Sequence, residues 1–365
     1  MQLKDLIKHI EQIAPLYLQE SYDNAGLLYG DPEMVINRGL VGFDITEDLM
    51  GEAVKLKADV IISHHPLLMD GIKKLTGKTY QERILIKAIK NNIAIYSAHT
   101  NLDSVKAGIS SKICEKLGIK DCQILEPKEN FLKKLVVFVP EDHAEKLRQS
   151  LFEAGAGNIG DYDSCSFNIK GKGSFHAGKN SDPFIGKQGK LNYENEIRIE
   201  TIFLKDNQAK IINCLLEVHP YEEVAYDIYP LDNKYHGAGF GMIGNLNKET
   251  DEIEFLKKLQ TIFNAEGIRF TKPLGKKIKK VAVCGGSGSF LLPKAISSGA
   301  DVFVSGDFKY HQFFDADNKI LIADIGHYES EQFASEIFYE ILTNKFPNFA
   351  LHLSKYRSNP INYLK

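Results

Sequence analysis

The sequence predicts an α/β protein whose duplicated core has mixed, mainly parallel sheets and is interrupted by a smaller α+β module. Three observations support this fold class. Short β-rich runs alternate with helical patterns at both ends of the 365-residue chain, and strands separated by helices are typical of parallel sheets. The two ends resemble each other. The middle changes character after Pro127-Lys128-Glu129-Asn130, which reads as a boundary.

Both ends follow the same order of elements. The first 125 residues predict strands at 40–43, 60–62 and 93–96 and helices at 49–57 and 80–91. The tail predicts strands at 281–283, 302–304 and 320–322, a helix at 291–298 and a long amphipathic helix from about 329 to 344. Each end therefore predicts a sheet covered by helices.

Two matching segments suggest an internal duplication. Ala58-Asp59-Val60-Ile61-Ile62-Ser63-His64 aligns with Ala300-Asp301-Val302-Phe303-Val304-Ser305-Gly306, with Ala, Asp, Val and Ser in register. Ala98-His99-Thr100 then falls opposite Gly326-His327-Tyr328. We interpret the match as a duplication. Chance similarity between βα units is the alternative.

The middle segment predicts a strand, a helix, two strands, a helix and a final strand. This order is that of a small ferredoxin-like module, and a glycine cluster from Gly237 to Gly244 marks the return to the main fold. We therefore divide the chain into the first half of the core (1–126), an inserted domain (127–235) and the second half of the core (236–365).

Charge and composition exclude some classes of function. With 45 basic and 48 acidic residues, the net charge of −3 lacks the broad cationic surface of a nucleic-acid or membrane-surface binder. No apolar segment approaches the ~20 residues that span a bilayer, and the amino terminus lacks the apolar core of a signal peptide. Five separated cysteines fit a reduced compartment. We expect a cytoplasmic protein without nucleic-acid or membrane partners.

A pair of adjacent histidines follows a strand. His64 and His65 come directly after the apolar run 59–63, and adjacent side chains on a strand point to opposite sides. The two imidazoles can therefore serve two metal ions about as easily as one. Asp103, His327 and Glu331 follow two other predicted strands. Because active sites of open α/β sheets lie at the carboxyl ends of strands, these five residues form a candidate dinuclear site.

The residue types indicate the metals. Imidazole and carboxylate suit Zn, Fe, Mn, Co or Ni, and the absence of a paired cysteine argues against a structural zinc ribbon. His327 and Glu331 are four apart on one helix face, and Asp103 could bridge two ions. Two divalent cations exceed the charge of the two carboxylates, which favours a bridging hydroxide and an anionic substrate. A lone histidine at a strand end is more often a hydrogen-bonded surface residue, but five such residues favour metal binding.

Two weaker motifs stay open. Gly285-Gly286-Ser287-Gly288-Ser289 lies between a strand and a helix, so it is either a phosphate-binding loop or a tight turn. His219-Pro220-Tyr221-Glu222-Glu223 is either a second metal cluster or a helix-to-strand turn with solvated acids.

Several motifs together resemble a known family. The chain resembles the Ngg-interacting factor three-like family, whose members are often named GTP cyclohydrolase I type 2 homologs, over about residues 1–125 and 236–365. The motifs that carry the resemblance are Ser21-Tyr22-Asp23-Asn24-Ala25-Gly26-Leu27, His64-His65-Pro66, His99-Thr100-Asn101-Leu102-Asp103, Gly306-Asp307-Phe308-Lys309-Tyr310-His311 and Gly326-His327-Tyr328-Glu329-Ser330-Glu331. Members commonly have Trp at the position of Tyr22.

The resemblance implies a dinuclear metal centre within a duplicated α/β fold, and a toroidal homohexamer whose metal sites face an inner cavity. The middle segment looks like the insertion of longer bacterial members, which is similar to the trimeric PII and CutA signalling fold and caps the ring. The implied metal ligands are His64, His65, Asp103, His327 and Glu331. Asp23, Asn24, Asp307 and His311 match positions near the cavity, where they would support the ligands or contact substrate.

The function that these observations favour is a dinuclear metal-dependent hydrolase, acting by metal-activated water on a nucleotide or related heterocycle as a GTP cyclohydrolase does. The alternative is a non-catalytic metal-binding hexamer with a regulatory or sensory role, in which the PII-like domain senses a ligand. Binding to DNA receives little support from the slightly acidic composition. The sequence leaves the substrate and the metal open.

Overall fold

The computed structural model describes residues 1–364. The chain forms two compact units: a core unit, Met1–Glu126 with Ala238–Lys365, and an inserted unit, Pro127–Gly237. The inserted unit ends two residues beyond the boundary at 235 that the sequence predicts.

Strands and helices alternate along much of the chain. The strands are β1 (Gly26–Tyr29), β2 (Arg38–Gly42), β3 (Val60–Ser63), β4 (Ala94–Ser97), β5 (Ile119–Lys128), β6 (Leu132–Pro140), β7 (Ser166–His176), β8 (Leu191–Leu204), β9 (Tyr226–Pro230), β10 (Tyr235–Asp251), β11 (Arg269–Phe270), β12 (Lys277–Ser287), β13 (Val302–Gly306), β14 (Leu321–Asp324) and β15 (Ala350–Leu353). The helices are α1 (Leu3–Ile13), α2 (Glu47–Leu56), α3 (Tyr80–Asn91), α4 (Thr100–Ser104), α5 (Ile109–Leu117), α6 (Ala144–Glu153), α7 (Gln208–Val218), α8 (Glu252–Ile262), α9 (Leu292–Ser297), α10 (His327–Glu331) and α11 (Ala334–Lys345). Short 3₁₀ turns are Leu16–Leu18, Glu141–His143, Lys205–Asn207, Ser289–Leu291 and Tyr310–Ala316.

The core unit contains two mixed sheets with the same central arrangement. One has the strand order β1-β4-β3-β2-β15 and the other the order β11-β14-β13-β12-β10-β5. Neighbouring strands are parallel from β4 through β3 and β2 to β15 in the first sheet and from β14 through β13 to β12 in the second. In each sheet a short strand pairs antiparallel at one edge, β1 against β4 and β11 against β14. The predicted α/β class with mixed, mainly parallel sheets is confirmed.

Matching hydrogen bonds show that the two halves repeat one another. Asp59 precedes β3 and Asp301 precedes β13. Each carboxylate accepts hydrogen bonds from two consecutive backbone N–H groups at the start of the neighbouring strand, at 2.6 and 2.9 Å for Asp59 and at 2.8 and 2.7 Å for Asp301. The carbonyl of Ser63 accepts from the backbone of residue 98, and that of Ser305 accepts from residue 325. The aspartate and serine that the two sequences share thus make the same contacts in both halves.

One apolar cluster contains side chains from both sheets of the core unit. On β3, Val60 and Ile62 belong to this cluster, whereas Ile61 points to the opposite face and packs with side chains of α2 and α3. Because side chains alternate across a strand, a strand covered on both faces must be apolar throughout. This explains the continuous apolar runs that end at the histidine pair.

The prediction of one long helix from about 329 to 344 is wrong. The structure has a short helix, α10, and a separate helix, α11, that begins at Ala334. At the break, the side-chain amide of Gln332 donates to the carbonyls of Phe263, at 2.8 Å, and Glu329, at 3.0 Å. No proline or glycine marks this break. The contact between Gln332 and Phe263 lies at this break between the two helices, which the helical periodicity of the sequence does not reveal.

The inserted unit forms an antiparallel sheet of order β7-β8-β6-β9. Alternate residues of β6 and β8, among them Leu135, Val137 and Ile199, pack with α6 and α7 in one apolar cluster. The order strand, helix, strand, strand, helix, strand is the order that the sequence predicts for this segment. Its similarity to ferredoxin-like, PII and CutA folds stays a prediction.

Within residues 1–364, every helix is too short or too polar to cross a lipid bilayer.

Candidate metal centre

All five predicted ligands lie at the carboxyl ends of the parallel strands of the core unit. His64 and His65 directly follow β3, Asp103 lies on α4 after β4, and His327 and Glu331 are the first and last residues of α10 after β14. The structure brings them together. Nε2 of His64 lies 3.6 Å from Oδ1 of Asp103 and 3.7 Å from Oε2 of Glu331.

The carboxylate of Glu331 is the centre of the cluster. Its Oε2 lies 2.9 Å from Nε2 of His327 and 3.3 Å from Nε2 of His65, and these two nitrogens are 3.3 Å apart. Side chains can form two ligand groups around it: His65, His327 and Glu331, and His64, Asp103 and Glu331. From the sequence, Asp103 could bridge two ions, but in the structure the residue common to both groups is Glu331.

Buried polar atoms of the cluster face each other. Nε2 of His64, Oδ1 of Asp103 and Oε2 of Glu331 are buried and make no hydrogen bond of good geometry within residues 1–364, although Oε2 of Glu331 lies at ion-pair distance from His65 and His327. A buried polar atom without a hydrogen bond costs about 1–3 kcal/mol. Nitrogen and carboxylate oxygen atoms that face each other in this way fit a cation, since a cation would pair all of them at once.

Each of the three predicted imidazole ligands is held through its other nitrogen. Nδ1 of His64 lies 2.9 Å from the carbonyl oxygen of Ala98. Nδ1 of His65 lies 2.6 Å from the carboxylate of Asp44, and Nδ1 of His327 lies 2.7 Å from that of Asp307. Donation from Nδ1 to these acceptors leaves the lone pair on Nε2, directed at the cluster, which is how proteins orient histidine ligands.

The imidazoles differ in charge. Burial lowers the pKa of His64 well below its ordinary value, so this ring is neutral and ready to bind a cation. Burial opposes the charged form of His65 and His327 too. Interactions with the carboxylates that they contact outweigh burial and raise the pKa of His65 to about 9 and that of His327 to about 11. Without a cation, these two rings carry the positive charge of the cluster.

The two carboxylates of the cluster shift in opposite directions. Burial alone would raise the pKa of Glu331, but the rings of His327 and His65, whose Nε2 atoms face the carboxylate, hold it well below its usual range. Burial, followed by the nearby charge of Glu331, raises the pKa of Asp103 well above its usual range. A buried carboxylate that repels its neighbour is stabilised as an anion once a cation lies between the two.

The cluster opens to solvent on one side. The side chain of His64 is fully buried and that of Glu331 is 5% exposed, whereas that of His327 is 33% exposed. Catalytic metal sites keep a position open for water or substrate, unlike structural sites, which are closed. The gradient from His64 to His327 therefore gives a ligand an approach from the His327 side.

His99 is a site residue that sequence reasoning missed. Its ring lies 5.3 Å from that of His64 and 5.1 Å from that of His65, and the three can form a further ligand group. The duplication places His99 opposite His327, and Asp103 and Glu331 each lie four residues later. That alignment was the signal that could have identified His99.

Of the four other candidate residues, the structure brings two to the cluster. Asp23 lies 2.8 Å from Nδ1 of His99, and Asp307 holds His327. Burial opposes the charge on Asp23, but hydrogen bonds from His99 and Thr100 lower its pKa to about 2. Asn24 and His311 contact other groups.

The side chains of Asn24 and His311 contact groups outside the cluster. The side-chain amide of Asn24 donates to the carbonyl of Leu68 at 2.7 Å. The ring of His311 packs against Tyr310 and Phe314, with ring centroids 5.2 and 6.3 Å away. The ring of His311 is part of no group of candidate metal ligands in the described residues.

The carboxyl-terminal segment after β15 contacts residues that surround the candidate metal centre. The hydroxyl of Ser358 donates to Asp44 at 2.6 Å, and Asp44 in turn contacts His65. Nearby, the amide of Asn359 donates to Glu329 at 2.8 Å. Ser358 lies 314 residues from Asp44, so no local pattern in the sequence could reveal this contact.

The glycine-rich loop after β12 packs against the ligands. The backbone N–H groups of Gly286 and Gly288 donate to the hydroxyls of Ser330, at 2.9 Å, and Ser305, at 3.0 Å. Gly286 has φ +57°, and a Cβ there would collide with the carboxylate of Glu331. These bonds favour the tight turn over the phosphate-binding loop, and the turn makes room for Glu331.

His219 of the inserted unit is fixed by backbone groups. Its Nε2 lies 2.9 Å from the carbonyl oxygen of Phe138, and its Nδ1 accepts a hydrogen bond from the N–H of Tyr221 at 3.1 Å. Both ring nitrogens are therefore used. The contacts favour the helix-to-strand turn over a second metal cluster.

A comparison with models of known protein families identifies the family of this chain. The family model described as Duf34/NIF3 (NGG1p interacting factor 3) matches residues 1–360. The chain belongs to the Duf34/NIF3 family. The resemblance seen in the sequence motifs is thereby confirmed, and it extends through the inserted unit.

Relatives of known name cover nearly the whole chain. A Halalkalibacterium halodurans protein named GTP cyclohydrolase 1 type 2 homolog is 40% identical over 324 residues, 88% of this chain and 87% of the relative. A Bacillus subtilis protein of the same name is 35% identical over 371 residues, 99% of this chain and 98% of the relative. The crystal structure of a Bacillus cereus protein related to NIF3 is 36% identical, covers 100% of this chain and 99% of its own, and superposes with a TM-score of 0.82.

Proposed function

We propose that this Duf34/NIF3 protein is a metal-dependent hydrolase that holds two divalent cations and acts on an anionic nucleotide or related heterocycle. The names of its relatives, GTP cyclohydrolase 1 type 2 homologs, support a heterocyclic substrate. The ligand types admit Zn, Fe, Mn, Co or Ni.

One observation carries the proposal: buried ligand-type atoms face each other around Glu331, and Nε2 of His64 and Oδ1 of Asp103 among them make no hydrogen bond. Two groups of ligands share this carboxylate. A single cation would leave one group without its partner, so two sites explain the cluster better than one. His64 and Asp103 would hold one cation, His65 and His327 the other, and Glu331 both.

The residues of the chain prepare the site for hydrolysis. Bound divalent cations would supply Lewis acidity and lower the pKa of water. Asp44 and Asp307 keep the Nδ1 protons of His65 and His327, so that both Nε2 atoms stay directed at the cluster. Two divalent cations exceed the charge of Asp103 and Glu331, which favours an anionic substrate.

Membership of the family also bears on assembly. The family resemblance implies a toroidal homohexamer with the metal sites facing an inner cavity, and we propose this assembly for the chain. Sedimentation or light scattering of the purified protein tests it. A monomer or dimer over the working concentration range would contradict it.

A second candidate is a non-catalytic, metal-binding regulatory protein in which the inserted unit senses a ligand. The observation that favours it is a cavity of about 470 Å³ formed within the inserted unit. This volume lies in the range of small-molecule sites.

Metal analysis and a substrate screen distinguish the two candidates. The protein is purified without chelator, its metal content is measured, and a panel of nucleotides and pterin precursors is screened for turnover. We expect close to two ions per chain, and turnover that His65→Ala and Glu331→Ala both abolish. Glu254→Ala, at an exposed residue of α8, is the matched control and keeps full activity.

Three outcomes decide the matter. Metal together with turnover that both variants lose supports the hydrolase. Bound metal without turnover of any substrate in the panel favours the regulatory candidate. A wild-type protein that binds no divalent cation contradicts both.

A further inference from the structure

The cavity of about 470 Å³ in the inserted unit lies between the connection from β7 to β8 and the turn after α7. Its wall includes Phe175 of β7, Phe184 from the connection, Tyr221 from the turn, Phe138 of β6 and Glu196 of β8. The turn is the His219-Pro220-Tyr221-Glu222-Glu223 motif, whose histidine the backbone fixes. The motif therefore builds one wall of a cavity.

Besides the imidazole of His176, three phenylalanine rings and one tyrosine ring line this cavity: Phe138, Phe175, Phe184 and Tyr221. The rings of Phe184 and Tyr221 have centroids 6.4 Å apart. The face of an aromatic ring attracts a cation. Phe138 already shows this behaviour, since the guanidinium of Arg198 lies 5.9 Å from its centroid.

Acidic groups predominate in the wall. Among the described residues that line the cavity, one is a histidine, His176, none is a lysine or arginine, and four are carboxylates: Asp182, Glu196, Glu222 and Glu223. An anionic ligand would be repelled here, whereas a cation would be attracted to both the carboxylates and the rings.

Hydrogen bonds fix two of the carboxylates in place. The hydroxyl of Tyr221 donates to Oε1 of Glu196 at 2.8 Å, and the backbone N–H of Asp182 donates to Oε2 of Glu222 at 2.9 Å. Each bond uses one oxygen of the carboxylate. A side chain at Gly173 would collide with the Glu196 carboxylate, so the glycine leaves room for it. Preorganised charges bind a ligand with less loss of conformational freedom.

We propose that this cavity binds a small organic cation, an ammonium group carried on an apolar body. The apolar body packs among the rings, and the ammonium group is held by Glu196 and Glu222. The site lies within the inserted unit, so the inference does not depend on the proposed hydrolase.

The chain contains no tryptophan, which makes a fluorescence test clean. In the full-length Phe184→Trp variant, the new indole is the sole tryptophan, so its emission reports on the cavity. The variant is titrated with benzylammonium, benzyl alcohol and benzoate, which share a ring and differ in the charge of the head group. We expect benzylammonium to bind at least about tenfold more tightly than benzyl alcohol, and benzoate not to bind.

A matched pair of variants locates the charge preference. In the same background, Glu196→Gln is expected to remove most of the preference for benzylammonium over benzyl alcohol. Glu217→Gln, on α7 and outside the cavity wall, is expected to keep it. Circular dichroism during thermal unfolding verifies that both variants are folded.

Calorimetric titration of the unsubstituted protein with the same three ligands guards against an effect of the new tryptophan and must give the same order of affinity. Equal affinity for the three ligands, no saturable binding of benzylammonium, or equal losses in Glu196→Gln and Glu217→Gln would overturn the proposal.

Discussion

Where β3 leads into His64 and His65, the equivalent strand β13 ends in Gly306 and leads into Asp307. A side chain at Gly306 would collide with the backbone of Gly326 and His327. One half of the core thus supplies two imidazoles at this strand end, and the other half leaves space there for α10 to approach. The duplicated frame is symmetric, but its residues at the site are not.

After β4 and β14, by contrast, the two halves of the core carry similar residues. His99 with Asp103, and His327 with Glu331, are both a histidine with a carboxylate four residues later. Each histidine is held at Nδ1 by an aspartate, Asp23 in one half and Asp307 in the other. Glutamate is one methylene longer than aspartate, and the Glu331 carboxylate contacts three imidazoles, whereas Asp103 contacts only His64 among the described ion pairs. A small difference between copies gives the two carboxylates different roles.

The largest effect should come from exchanging these carboxylates for amides. Glu331→Gln is expected to lose both cations, with an affinity more than about 100-fold weaker, because both ligand groups contain Glu331 and loss of even a supporting group costs 10–100-fold. Asp103→Asn is expected to keep one ion per chain. Elemental analysis after gel filtration measures the ratio, with Glu254→Gln at an exposed position of α8 as control. Equal losses in both variants would remove the distinction between the two carboxylates.

The aspartates behind the histidines give the next effect. Asp307→Asn should weaken metal binding about 10–100-fold, because His327 loses the acceptor that orients it. Asp23→Asn should have a smaller effect if His99 is not a ligand. Competition with a chromophoric chelator measures both affinities. Similar losses in the two variants would show that His99 binds metal as His327 does.

The protonated histidines predict how metal binding depends on pH. A cation must displace the protons of His65 and His327, whose pKa values in the metal-free cluster are raised to about 9 and about 11. The sign follows: affinity falls as the pH falls, and it keeps rising above neutral pH. We expect about tenfold per pH unit for each proton displaced, measured by chelator competition between about pH 6 and pH 8. An affinity that stays constant over this range would contradict the proton displacement.

The smallest expected effect is on the melting temperature of Asp103→Asn, which should lie above that of the wild type without metal and below it with metal. Without metal, Asp103→Asn is expected to raise the melting temperature by about 2 °C, because it removes a buried carboxylate next to Glu331. With saturating metal the variant should melt below the wild type, since a ligand is lost. Thermal unfolding with and without chelator measures both, and exposed Asp70→Asn is the control. A variant less stable in both states would show that Asp103 stabilises the fold without a cation.

Much of the site was predictable because its ligands lie at strand ends. The apolar runs before His64 and before Gly306 are continuous since both faces of these strands are covered, and such runs identify strands and their carboxyl ends. The spacing of His327 and Glu331 indicates one helical turn. Asp44 and Ser358 could not be predicted. Asp44 is a loop residue that contacts His65, and Ser358 reaches Asp44 only because the carboxyl-terminal segment folds back onto the first half of the core.

The sequence alone determined the class of the fold, the repeat, the residue types of the candidate site and their places in the chain, since each depends on local alternation of apolar residues or on short motifs. Only the tertiary structure decided that both candidate ligand groups contain Glu331, that His99 joins the cluster, that α10 ends before α11, and that the glycine loop makes room for the carboxylate of Glu331. These features depend on distances between atoms from separate segments, and such distances are fixed by packing of the whole core.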